Sequence, residues 1–234
     1  MKKIDKSAQL SPKYFQQLSQ WEDSGKAHPP YKSDHRFYED VLMNLLHCQD
    51  GLCAYTEMIL TNPDLLNHNL WEDGSYHGRN GKQSVAADVE HFDPDLKPNK
   101  GWLWENLFAV DPTINRKVKG IQKPDDILKP DEQKYDPHKY LYYVPDPLIG
   151  DTESTEMSHI YVPNPELPDA EKVRVQKMIK ILGLNHSMVV ARREEKLRFM
   201  IEYVQNGFKT FDQISSETKE FPTAIEFIKK KMKV

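Results

Sequence analysis

An acid and a histidine stand side by side at Glu90-His91, within Asp88-Val89-Glu90-His91-Phe92-Asp93-Pro94, and two asparagines follow at Asn106 and Asn115. Arg116, Lys117 and Lys119 come directly behind. These residue types match the needs of phosphodiester hydrolysis: a base to activate water, and a cation to stabilise charge on the phosphate and the leaving oxygen. Histidine titrates near neutral pH, so His91 can accept a proton. Carboxylate and amide oxygens are hard ligands suited to Mg2+ or Mn2+, and lysines can hold phosphate oxygens. Charge is uneven here. Ser84 to Asp95 holds four acids and no Lys or Arg, whereas Lys97 to Lys123 holds six Lys/Arg against two acids. An acidic stretch before a basic one suits a metal site beside a phosphate-binding surface, although ordinary surface charge produces the same pattern.

Those residues need elements to position them. Val85 to His91 reads as a strand, with Val85, Ala87 and Val89 alternating on one face and Pro94 and Pro98 ending it. Leu107-Phe108-Ala109-Val110 reads as a second strand. Asp111-Pro112 then starts a helix, aspartate as N-cap and proline in the first turn, which stops near Gly120. The order is strand, loop, strand, helix. Adjacent residues of a regular strand face opposite ways, so Glu90 and His91 share one site only if the strand twists, bulges or ends there. Asp93-Pro94 points to an ending.

Around this core, Asp34 to Cys48 reads as an amphipathic helix with Phe37, Val41, Leu45 and Cys48 on one stripe. Asn62 to Gly81 reads as loop. Gly120 to Pro168, rich in proline, reads as a long wrapping segment. Three helices follow: Asp169 to Leu182 with Val173, Ile179 and Leu182 near one face, Ser187 to Gln205, and about Thr223 to Met232. The fold class expected is α+β, mostly helical, as a single domain over 1–234. Its core spans about 85–120, between helical parts at 34–60 and 169–232.

The 234 residues carry 38% hydrophobic and 10% aromatic side chains at net charge −4. That is polar, yet rich enough in aromatics for a packed core. No apolar run approaches the roughly 20 residues of a membrane span. Met1 to Lys6 lacks the apolar core of a signal peptide. Cys48 and Cys53 alone make no disulfide framework, and the cytoplasm is the expected compartment. The negative net charge argues against coating nucleic acid by bulk electrostatics.

The ordered motif resembles the HNH (ββα-metal) nucleases, and the wider chain looks like those of bacterial anti-phage systems of the Septu and retron-associated type. The resemblance covers Cys53-Ala54-Tyr55, Glu90-His91-Phe92-Asp93-Pro94, Trp104-Glu105-Asn106-Leu107-Phe108, Asn115-Arg116-Lys117-Val118-Lys119-Gly120 and the break at Leu182-Gly183-Leu184-Asn185. It implies a central ββα-metal motif with His91 as general base, oriented through hydrogen bonds by Asn106. Glu90 and Asn115 would hold a divalent metal, Mg2+ first and Mn2+ as the alternative. Arg116, Lys117 and Lys119 would bind phosphate. Members carry two Cys-x-x-Cys pairs around a structural zinc, whereas here Thr56, Asp111 and Ile114 stand at thiolate positions. One thiolate cannot build a tetrahedral zinc site. No structural zinc is expected, and packing around Tyr55, Trp102, Trp104 and Phe108 must hold that corner. The implied partners are nucleic acid, DNA first with RNA as the alternative, and an ATPase; no membrane is implied. A non-catalytic subunit that keeps the fold as an interaction module is the reading from a different class.

Overall fold

The computed structural model describes residues 1–78, 82–145 and 158–232. It is α+β, about 49% helical, with small antiparallel sheets. The chain divides into two compact units. One comprises Ile4–Ala54 and Ile59–Pro124; the other comprises Met1–Lys3, Tyr55–Met58 and Asp125–Val234. No helix among the described residues is long and apolar enough to cross a membrane.

The first unit holds α1 (Pro12–Asp23), α2 (Tyr38–Cys48) and the short hairpin β1 (Trp71–Glu72) and β2 (Ser75–Tyr76). Then come β3 (Asp88–His91), the one-turn helix α3 (Lys97–Lys100), β4 (Leu107–Val110) and a wide-turned helix Ile114–Lys119. α1 carries no cue in the motif-bearing stretches, yet Ser11-Pro12 starts it and Tyr14 and Leu18 are buried. α2 begins four residues later than Asp34, because residues 35–38 form a turn closed by the Tyr38 N–H on the His35 carbonyl. The helix ends at Cys48, so the expected helical part over 34–60 stops there. Beyond it the chain turns and forms only the isolated bridge Leu52 to Ile59.

β3 and β4 pair antiparallel, Asp88 with Val110, Val89 with Ala109, Glu90 with Phe108 and His91 with Leu107. The first strand is shorter than the alternation of Val85 and Ala87 suggests, since residues 85–87 are irregular and the Ala86 N–H bonds to the Leu60 carbonyl instead of to β4. All four β4 residues are buried, so both sheet faces are covered. Side chains complete the outer edges of this two-stranded sheet. On β3, the Tyr31 hydroxyl donates to the Val89 carbonyl at 3.3 Å, and the Val89 N–H donates to the Tyr38 hydroxyl at 3.4 Å. On β4, the buried Gln49 amide accepts from the Ala109 N–H (2.9 Å) and donates to the Ala109 carbonyl (2.8 Å), and the Ala54 N–H adds a bond to that carbonyl. After β4, Asp111 caps the next helix as expected, its carboxylate accepting from the Thr113 and Ile114 N–H groups.

The second unit pairs β5 (Leu141–Val144) with β6 (Ile160–Pro163), with Tyr143 opposite Tyr161. Its other elements are the one-turn helix α4 (Pro137–Tyr140), α5 (Asp169–Ile181), α6 (Ser187–Gln205), α7 (Phe211–Glu217) and α8 (Pro222–Met232). The expected wrapping segment therefore contains a sheet; Pro147 lies outside the described residues. α5 turns inward on Val175, Met178 and Ile179, leaving Val173 70% exposed rather than in the core. α7 is announced by a capping box between Thr210 and Gln213. Inside this unit the Arg193 guanidinium is buried and donates to the His159 and Leu184 carbonyls.

Because the buried Gln49 amide serves both polar groups of Ala109, Gln49→Ala strands an N–H inside the core. Such a loss costs about 2 kcal/mol. Chemical denaturation followed by circular dichroism should show a midpoint shift of that size, and an unchanged midpoint would count against the Gln49 bonds.

Candidate functional site

The sequence places its chemistry on residues 88–93, and in the fold the other named blocks converge on that segment. The pleat directs Asp88 and Glu90 to one face of β3. The helix Ile114–Lys119 meets them there. The Asn115 amide donates to Asp88 Oδ2 at 3.1 Å, and Arg116 grips the same carboxylate with two bonds of 2.7 and 2.6 Å. Lys119 Nζ lies 2.5 Å from Glu90 Oε1 and donates to the His91 carbonyl at 3.0 Å. Lys123 then bridges Asp93 and Asp95, each at 2.9 Å. The acidic and basic stretches thus form a ladder, and its partners are nearly constant in sequence separation at about 28 residues.

Glu90 and Lys119 are 2% and 1% exposed. A buried ion pair carries a desolvation penalty on both charges, and removing one partner costs about 3–5 kcal/mol because the other is left buried alone. The outer rungs stand in solvent, with Arg116 and Lys123 more than half exposed, and are weak by comparison. The placement assigns the expected phosphate ligands unequally. Lys119 points inward to Glu90, Arg116 lies on Asp88, and Lys117 is exposed to solvent.

His91, the last residue of β3, projects from the opposite face. Its Nε2 meets the Gly101 carbonyl at 2.9 Å, and its ring stands edge-on to Tyr31 at 4.5 Å. A carbonyl only accepts, so Nε2 carries the proton and the ring's basic lone pair is on Nδ1. Burial disfavours the charged ring and lowers its pKa to about 4, against a smaller opposing effect of the Gly101 carbonyl. Although it ends its strand, His91 is buried.

Asn106 does not take the expected position on the imidazole. It is buried in the turn before β4, where its amide accepts from the Asp93 N–H (2.7 Å) and donates to the Asp93 carbonyl (2.9 Å). Its own carbonyl accepts from the Phe92 N–H. Asn106 therefore fixes the chain leaving His91, while Gly101 and Tyr31 fix the ring. Both come from distant stretches joined by a strap at residues 28–31. The His28 N–H donates to the Asn99 carbonyl, His28 Nδ1 accepts from the Trp102 N–H, and the Pro29 carbonyl accepts from the Trp102 indole. Gly101 is required by close packing: a Cβ there would sit 2.8 Å from the Lys97 carbonyl and 2.9 Å from Tyr31 Cβ.

No family model matches the chain, and no curated protein matches its sequence. What the site can hold follows from its donors. Asp88, Glu90 and the Asn115 amide offer oxygen on one face, a hard set that suits Mg2+ or Mn2+. No three His, Cys, Asp or Glu side chains cluster among the described residues, so such an ion would keep much of its water. At the corner where the motif resemblance implies thiolates, Cys53 is buried and its Sγ accepts from the Asp111 N–H at 3.5 Å. Residues 53 and 111, paired by the motif comparison, are therefore neighbours. Asp88, Gly101 and Tyr31 went unread in the sequence. Only Asp88 had a signal, its two-residue spacing from Glu90.

Two outcomes follow. The unfolded chain protonates His91 below about pH 6.5, whereas the folded chain holds it neutral down to about pH 4. The unfolded state thus binds more protons in that window. This group's contribution to stability is constant above about pH 6.5 and falls by up to about 3 kcal/mol on acidification to pH 4. Denaturation at stepped pH should show this dependence in wild type and its loss in His91→Asn. Separately, Gly101→Ala should cost about 1–3 kcal/mol through overpacking and shift the His91 ring signals in 15N–1H spectra, with the same spectrum as wild type counting against the clamp.

Proposed function

We propose that this chain is a metal-dependent endonuclease of the HNH (ββα-metal) type that hydrolyses phosphodiester bonds, in DNA first, with His91 as general base. One observation carries the reading. An antiparallel strand pair and the helix after it bring Glu90, His91, Asn106, Asn115 and Lys119 together on residues 88–93. The neighbouring Cys53 and Asp111 agree with the same comparison.

In this reading Glu90 and Asn115 hold Mg2+, which would stabilise charge on the phosphate and the leaving oxygen. The protein's own groups do the rest. Gly101 holds the His91 proton on Nε2, so Nδ1 takes the proton of the attacking water, and burial keeps the ring unprotonated at pH 7 while making it a weaker base than a free imidazole. Asn106 fixes the backbone directly after the base. Lys117 is the exposed cation for a flanking phosphate. β3 stops at His91, so both side chains flank the strand's end. The motif resemblance adds a role in bacterial anti-phage defence and an ATPase partner that presents the substrate, and the sparse cysteines agree with a cytoplasmic location. With so many cations tied to acids, the chain alone should bind nucleic acid weakly.

The burial of Glu90, His91, Asn106 and Lys119 favours a second reading, in which the motif survives as a non-catalytic interaction module. Cleavage separates the two. Plasmid DNA and structured RNA are incubated with the chain and Mg2+ or Mn2+, with an EDTA control. Metal-dependent cleavage is expected, reduced at least a hundredfold in His91→Asn at matched circular dichroism. Equal activity in that variant removes the base from His91. RNA cleavage without DNA cleavage would change the substrate. No cleavage of either favours the module.

A further inference from the structure

The buried Lys119 ammonium holds the position that a metal ligated by Glu90 would need. Nζ lies 2.5 Å from Glu90 Oε1 and is fixed from a second side by the His91 carbonyl at 3.0 Å. Two cations cannot share one buried carboxylate at that range without strong repulsion. The helix bearing Lys119 is also unusual. It starts with an α-type bond, Asn115 N–H to the Asp111 carbonyl, then widens until the Gly120 N–H reaches back five residues to Asn115. Wide turns of this kind are rare and occur mostly at functional sites. Gly120 closes the helix at φ 53° and ψ −128°, a conformation that other residues rarely adopt. Widening changes where Lys119 falls around the axis relative to Asn115, while both side chains reach β3.

We propose that Lys119 is a built-in counter-ion that occupies the carboxylate site in the metal-free protein and must be displaced for a divalent metal to bind Glu90. The inference rests on the metal-ligand reading of Glu90 above. Lys119 then sets a threshold: with its ammonium on Glu90 the carboxylate is neutralised, and metal enters only with withdrawal of the ammonium. The pair acts as a gate on loading instead of a phosphate contact.

The test is Mn2+ binding to the full chain, by electron paramagnetic resonance of the free ion and by thermal shift. The forms compared are wild type, Lys119→Gln, Lys119→Met, Glu90→Gln and the double variant Glu90→Gln/Lys119→Gln. Glutamine keeps a hydrogen-bond donor but loses the charge. Lys119→Gln should bind Mn2+ at least tenfold tighter than wild type and gain more melting temperature from it, and the gain should vanish in the double variant. Affinity unchanged or weakened in a folded Lys119 variant overturns the proposal, as does a gain that persists without Glu90. Should both single Lys119 variants be unfolded alone, Mn2+ must restore their fold, and failure to do so also overturns it. Cleavage by wild type with no gain in Mn2+ affinity leaves the nuclease reading standing and removes the gate. A Glu90-dependent gain without cleavage by any form does the reverse.

Discussion

A carboxylate and an ammonium buried against each other, Glu90 and Lys119, set the terms for the first unit. Neither tolerates the interior alone, so the strand that carries one and the helix that carries the other must dock for either to be stable. The remaining rungs follow from this docking. Once Lys119 is seated, Asn115 and Arg116 fall on Asp88, and Lys123 falls between Asp93 and Asp95. The central rung makes the docking obligatory, because parting it leaves a buried charge alone, while the exposed outer rungs are screened and add little.

The same ladder divides the chemistry across β3. Acids, amide and cations gather on one face, and the imidazole sits on the other, behind Tyr31 and the Gly101 carbonyl. The two faces meet only where the strand ends, and Asn106 holds the chain as it departs. Each side is organised for a different purpose. One neutralises charge, and the other keeps an imidazole unprotonated.

How much of this the sequence disclosed follows the range of the interactions. Elements set by local signals were legible. β4 is a short all-apolar run, Asp111-Pro112 caps and starts a helix, and α6 spans Ser187–Gln205 as its periodicity indicates. The strand before His91 read too long because alternation in Val85 and Ala87 mimics a strand where the chain is irregular and bonds through Ala86 to the distant Leu60 carbonyl. The orientation of α5 was misread because Val173 fits the periodicity nearly as well as Val175. In the site, the blocks were legible but their pairing was not. Charge signs marked an acidic and a basic stretch, read as a metal site beside a phosphate surface, yet not that the two pair or that Lys119 turns inward while Lys117 stays out. The contacts of His91 depend on residues 28–31 and 101, which no local pattern links to it.

The side chains along the sheet edges have a further consequence. A two-stranded sheet ordinarily leaves a row of open peptide groups on each outer side, a template on which another chain can add a strand. Here Tyr31 and Tyr38 close β3 at Val89, and Gln49 with Ala54 closes β4 at Ala109. These contacts fall at the middle of each short strand, where an incoming segment would have to form its first bonds. The hairpin is thereby protected from intermolecular β-pairing without a third strand, and so from a common route to aggregation.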